Sequence, residues 1–330
     1  MSEDFHFLWI DDAPSMKQAA ANLAAITDAE VGFHLSDDGL APEIDKLMHE
    51  HVPDLVIVDH KLNWDLGASG TSLKATGATV AELIKDLYPQ VPVVCVTKVD
   101  VDKEITYAQK SVYDYVIRAD DLTRQSKVIL SIAKGFRQIN DKSPDGPEEL
   151  LKLLDCPEVD RTRLIQVLPE NITAFKPDGY ASVLWRWIAE VLFARPGFLY
   201  DSLWAATLVG ANETFFDKVK EKLRSARYSG IFANYVDQRW WVSRILETLY
   251  KTDSALKERD PRLLGRVYLE IPEQGYSECR EICGEEIPDT VAYTDITNKK
   301  RIQVSLRHTQ AHPHFQKRLF FEDIRVIEEK

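Results

Sequence analysis

The chain has 330 residues, of which 45% are hydrophobic and 10% aromatic, and a net charge of −12. That much apolar material excludes a disordered or low-complexity chain, and the length exceeds one average domain, so two domains are expected. Residues 1–145 carry 14 basic and 24 acidic side chains, a net of −10, against 27 and 29 in residues 146–330, a net of −2. This excludes a first domain that grips nucleic acid by its phosphates.

The opening Met1-Ser2-Glu3-Asp4-Phe5 lacks a signal-peptide pattern, and no apolar run approaches the roughly 20 residues that span a bilayer. A cytoplasmic protein without membrane contact is expected. Four cysteines (Cys95, Cys156, Cys279, Cys283) are too few for a disulfide scaffold, which agrees with a reducing compartment.

In chain order, Phe5 to Ile10 predicts a short strand closed by Asp11-Asp12, and Pro14 suits the first turn of a helix reaching about Ala25. A second strand is expected near 30–34, then a helix over 42–51 with Ile44, Leu47 and Met48 on one face. Pro53-Asp54-Leu55-Val56-Ile57-Val58-Asp59 is an apolar run between turn residues that stops at a carboxylate, the pattern of a buried parallel strand delivering Asp59 to a sheet edge. Residues 63–79, with Gly67, Gly70 and Gly77, predict a long loop, followed by a helix over 78–87. A strand over 91–96 ends at Thr97-Lys98, a helix is expected near 101–110, and a fifth strand over 113–117 ends at Arg118. A helix over 122–138 completes a (βα)5 pattern.

Strands and helices alternating at this spacing imply a doubly wound parallel sheet with all strand carboxyl ends on one rim. Asp11, Asp12, Asp59, Thr97 and Arg118 would gather there. Taken singly, Asp11 and Asp12 could cap a helix, Thr97 could be a loop residue and Arg118 a surface ion-pair partner.

Taken together, the acid pair after strand 1, Asp59 after strand 3, Thr97 after strand 4 and a basic residue after strand 5 resemble the receiver domain of bacterial two-component response regulators, over residues 4–138. The resemblance implies a flavodoxin-like fold in which Asp59 accepts a phosphoryl group from a sensor histidine kinase or phosphotransfer protein. It implies Mg2+ held by Asp11, Asp12, Asp59 and the backbone carbonyl of Lys61. Three facing carboxylates repel unless a cation sits among them, and hard oxygen ligands suit that ion. Thr97 and Arg118 would contact the phosphoryl oxygens. Two features depart from the pattern: Arg118 stands where the family has lysine, and the segment between Asp59 and Thr97 is long. They leave a second reading open, a receiver-like scaffold that works without phosphorylation.

Residues 1–139 are therefore read as the receiver-like domain and 140–147, polar with Pro144, Gly146 and Pro147, as a linker. Residues 148–330 are read as a helix-rich α+β domain. Helices are expected over 148–154, 182–193, 199–208, 213–225 and 235–250, and strands over 265–271, 291–293, 301–307 and 318–321. Trp185, Trp187, Trp204, Trp240 and Trp241 predict a core, with an aromatic groove near Arg186, Arg239 and Arg244 as the alternative. Cys279, Cys283, His308, His312 and His314 are of zinc-ligating types at loose spacing, which leaves a metal-dependent hydrolase as a further alternative. No phosphate-cradling glycine loop or DNA-reading module occurs, so the expected output is a protein-interaction or sensing one, acting on a protein partner or through a homodimer.

Overall fold

The computed structural model describes residues 4–35, 46, 48–49, 51–62, 64–65, 74–173, 179–251, 260–277, 290–295, 300–304, 309–311 and 325–327. Packing divides the chain into two units: Met1–Gly146 with Pro169–Trp187, and Pro147–Leu168 with Ile188–Lys330. The segment Pro169–Trp187, assigned from sequence to the second domain, thus packs with the first unit. Trp185 is buried there and donates from its indole nitrogen to the carbonyl of Asp114 at 2.8 Å. Among the described residues, no helix is long and apolar enough to cross a membrane.

The first unit is built on strands β1 (His6–Asp11), β2 (Glu30–Leu35) and β3 (Leu55–Val58), a hairpin of β4 (Trp64–Asp65) and β5 (Lys74–Ala75), and strands β6 (Val93–Thr97) and β7 (Tyr115–Arg118). Five of them form one parallel sheet in the order β2-β1-β3-β6-β7. This is the expected doubly wound arrangement with helices flanking the sheet. Every residue of β3 and β6 is buried, as central parallel strands covered on both faces require. On one face, Ile10, Val56, Val58, Val93 and Cys95 pack with Val80, Ala81 and Ile84 of the helix Gly77–Leu87. The helix Leu122–Lys142 buries Ile129, Ile132, Ala133, Phe136 and Ile139, the stripe of an amphipathic helix laid on a sheet.

Within 63–79 the structure differs from the expected loop, since β4 and β5 pair antiparallel and the next helix starts at Gly77. Thr76 caps that helix, accepting from the N–H of Thr79 at 3.4 Å. The expected 101–110 helix is two short ones, Val101–Glu104 and Tyr107–Val112, because Asp100 and Thr106 each cap a separate start. The expected 42–51 helix lies largely outside the described residues.

In the second unit, Trp204, Trp240, Phe216, Leu223, Ile245 and Leu249 share one core, and Trp241 is fully buried. Two expectations are corrected. Trp240–Trp241 forms not helix but strand β9, pairing antiparallel with strand β8 (Leu199–Tyr200), and the following helix is only Val242–Lys251. Residues 265–271, expected as a strand, fall in and after the helix Pro261–Tyr268. Asp260 caps it, accepting from the N–H of Arg262 at 2.9 Å, and Pro261 occupies its first turn. Gly265 lets it approach the chain closely: a Cβ there would lie 2.4 Å from the Val209 carbonyl oxygen. Strands β10 (Thr290–Asp295), β11 (Lys300–Val304), β12 (Thr309–Ala311) and β13 (Arg325–Ile327) form a four-stranded sheet in the order β11-β10-β13-β12. The expected strand over 318–321 lies outside the described residues.

Candidate functional site

The strand order places a switch point between β1 and β3: the chain leaves β1 toward β2 on one side and returns to β3 on the other. In open α/β sheets the crevice beyond the strand carboxyl ends at such a point is where ligands bind. Asp11 ends β1, Asp12 follows it, and Asp59 follows β3. Carboxylate oxygens of the three lie within 4.8 Å of one another. They line a cavity of about 280 Å³ together with Lys61, Thr97 and Lys98.

Each acid is held differently. Asp11 is buried and accepts from the N–H of Ala13 at 2.8 Å and from the Trp9 indole N–H at 3.2 Å. It does not cap the helix that follows, which begins only at Met16 behind Ser15. Asp12 is exposed. Asp59 is half-buried and accepts from the Thr97 hydroxyl and from the N–H groups of Lys61 and His60. Burial pushes the Asp11 carboxyl above the ordinary range, and the hydrogen bonds from Ala13 and Trp9 only partly offset it. Burial likewise raises Asp59, with Asp12 adding repulsion and Thr97 opposing it. Among the described residues, no lysine or arginine pairs with any of the three.

The basic residues near the rim are directed elsewhere. Arg118 sits opposite Thr97 in the β6–β7 register, but its guanidinium lies 3.1 Å from Asp120 and it does not line the cavity. The Lys61 ammonium is 2.6 Å from Glu104. Lys98, next to Thr97, does border the cavity.

Two features behind Asp59 were not read from the sequence. Gly77 opens its helix hard against Asp59: a Cβ there would lie 2.0 Å from the Asp59 carbonyl oxygen, and its N–H donates to the His60 carbonyl at 3.1 Å. A glycine after a long insertion gives no sequence signal of that approach. His60 and Tyr113 are also buried and share a 3.1 Å hydrogen bond, and Tyr113 bonds Cys95 in turn. Burial lowers the His60 imidazole and pushes the Tyr113 phenol and Cys95 thiol up.

The five tryptophans expected in a core are buried, Trp185 and Trp187 in the first unit and Trp204, Trp240 and Trp241 in the second. The arginines of the alternative groove are engaged by the chain: Arg186 by the Ser111 carbonyl, Arg239 by the Asp237 carbonyl and Arg244 by Asp155. Cys279, Cys283, His308, His312 and His314 lie outside the described residues.

The strand order β2-β1-β3-β6-β7 places the acid cluster at its switch point. The N-terminal domain resembles a response-regulator receiver domain. No family model matches the chain, and no curated protein matches it. Among solved structures, it is similar to a response regulator receiver domain protein from Clostridium thermocellum, at 22% identity over 39% of this chain and 97% of that one, TM-score 0.30. It is similar to a CheY-like receiver domain protein from Methanospirillum hungatei, at 16% identity over 40% of this chain and 98% of that one, TM-score 0.30. A third is the response regulator TrrA from Thermotoga maritima, solved in complex with Mg(2+)-BeF, at 17% identity over 38% of this chain and 98% of that one, TM-score 0.29.

Proposed function

We propose that Asp59 accepts a phosphoryl group and that the aspartyl phosphate modulates a protein-interaction or sensing output in the C-terminal unit, making the chain a two-component response regulator. The observation that carries this reading is the cluster of Asp11, Asp12 and Asp59, with oxygens within 4.8 Å of one another. Oxygen-only donors at an open rim fit magnesium, and the absence of a paired lysine or arginine among the described residues leaves charge for it to balance. Asp11, Asp12, Asp59 and the backbone carbonyl of Lys61 would hold the ion, which when bound neutralises charge on the transferred group.

The donor is a phosphohistidine of a sensor histidine kinase or phosphotransfer protein. An Asp59 oxygen forms a bond to phosphorus as the P–N bond breaks, and the imidazole leaves with the bonding pair. Thr97, already bonded to Asp59, donates its hydroxyl to a phosphoryl oxygen. The cationic contact falls to Lys98, which borders the cavity, or to Arg118 once it leaves Asp120. The two are not equivalent, since a guanidinium is planar and forked where an ammonium is a compact point charge. The aspartyl phosphate then shifts the population of a state with altered surface contacts, to a protein partner or within a homodimer.

Incubation of the full chain with acetyl phosphate and Mg2+ tests this by intact mass. A single acid-labile phosphate adduct is expected, lost in EDTA and in Asp59→Asn. An adduct that survives Asp59→Asn overturns the assignment. The Arg118–Asp120 pair favours the second reading, a phosphorylation-independent scaffold. That reading gains if the wild type takes no phosphate.

A further inference from the structure

A cleft of about 720 Å³ opens within the second unit, inside the range of about 300–1,000 Å³ typical of small-molecule sites. Phe198, Tyr200 and Tyr250 supply aromatic wall, and Asp160, Ser243 and Glu247 supply polar groups. Asp160 matters most: it is 3% exposed and accepts from the Ser243 hydroxyl.

A neighbouring aspartate shows what is unusual about it. Asp155 is closed off by Arg244, whose two terminal nitrogens lie 2.7 and 2.9 Å from its oxygens, and by the Ser229 hydroxyl at 2.6 Å. Those contacts, the Arg244 hydrogen bond first, hold its carboxyl below the ordinary range. Asp160 is more deeply buried, yet its nearest guanidinium, that of Arg163, stands off at 3.8 Å, beyond hydrogen-bond length. Burial pushes its carboxyl up, and the Ser243 hydrogen bond opposes this only in part. A buried carboxylate whose nearest cation makes no hydrogen bond to it is costly to a fold.

We propose that this cleft binds a small organic cation, a primary amine or guanidinium on a short aliphatic stem, whose charged end meets Asp160 and whose stem lies against the aromatic wall. The cleft already shows the chemistry with its own side chain, because the Arg163 guanidinium lies over the Phe198 ring at 5.5 Å. Of the acids bordering the cleft, Glu247 is paired with Lys251 at 2.6 Å and Glu158 with Arg161 at 3.8 Å, so the attraction for a cation centres on Asp160. The inference is independent of the Asp59 assignment and gives the C-terminal unit a sensing role of its own.

Isothermal titration of the full chain with agmatine and cadaverine tests it, with pentanediol as neutral control and an arginine-containing peptide as the alternative source of the cation. One amine binds and pentanediol does not. Asp160→Asn weakens the amine roughly tenfold or more, as loss of a charge-assisted hydrogen bond would. Arg163→Ala, which removes the internal competitor, tightens it, a change that a merely structural role of Arg163 would not produce. Should Asp160→Asn fail to fold by circular dichroism, Arg163→Ala and Tyr250→Ala decide, the second weakening binding by about threefold or more. Binding of neither amine, binding unchanged in the folded variants, or binding of the peptide alone overturns the proposal.

Discussion

At the N-terminal end of the five-stranded sheet, Asp54 and Asp114 each meet a cation, whereas at the C-terminal end Asp11, Asp12 and Asp59 meet one another. Asp54, just before β3, is gripped by Arg137 through its Nε at 2.7 Å and by the His6 N–H at 2.9 Å. Asp114, just before β7, has a fully buried side chain that accepts from Lys85 and from the Val93 N–H, both at 2.8 Å. One sheet thus carries acids whose charge is answered inside the fold and acids whose charge is not. The first kind stabilises structure, and the second is the kind the proposed Mg2+ would balance. That contrast, more than the presence of three aspartates, supports the proposed site at the rim.

Breaking the compensated end should have the largest effect. Lys85→Met leaves the Asp114 carboxylate buried without its cation and should lower unfolding free energy by about 3 kcal/mol in urea titration. A loss under about 0.5 kcal/mol would mean that the Asp114 site needs no cation, and the contrast would weaken. At the uncompensated end, Mg2+ at about a hundredfold excess over its dissociation constant should raise stability by about 2.7 kcal/mol. Asp59→Asn or Asp12→Asn should remove most of that gain, and a gain that persists in both would place the ion elsewhere. Gly77→Ala comes next, because its Cβ would intrude 2.0 Å from the Asp59 carbonyl oxygen. A loss of about 1–3 kcal/mol is expected, with slower phosphate uptake from acetyl phosphate as Asp59 shifts.

Much of the first unit was legible because its signals are local. Leu55 to Val58 and Val93 to Thr97 are apolar runs flanked by turn residues, and such runs can hardly be anything but buried strands. The rim followed from their order, since parallel strands put Asp11, Asp59 and Thr97 at one edge. What stayed hidden depends on distant partners. Gly265-Arg266-Val267-Tyr268 reads as strand by composition, and only the close packing of Gly265 on Val209 and the Asp260 cap make it helix. Trp240 and Trp241 fit a helix until Leu199 and Tyr200 arrive to pair with them. Arg118 illustrates the same limit at the site: its place at the end of β7 was readable, but its turn toward Asp120 was not.

The smallest effect is also the sharpest probe of the uncompensated end, because it concerns charge alone. Asp59 has a folded-state pKa raised above its ordinary 3.8 by burial, so the folded chain holds that proton more tightly than the unfolded chain. The resulting stabilisation is fully present below pH 3.8 and is lost as pH rises through the raised value. Without metal, wild type should therefore lose stability relative to Asp59→Asn across that window and stay lower at neutral pH. Asp11 moves with it, since Asp59 is one of the charges that raise its pKa. Thermal melts of both proteins in EDTA between pH 3.5 and 7 measure the difference directly, and saturating Mg2+ should reverse its sign at pH 7. A flat difference in EDTA would mean that the rim acids are solvated enough to ionise freely, and the case for a site waiting on a cation would lose its electrostatic basis.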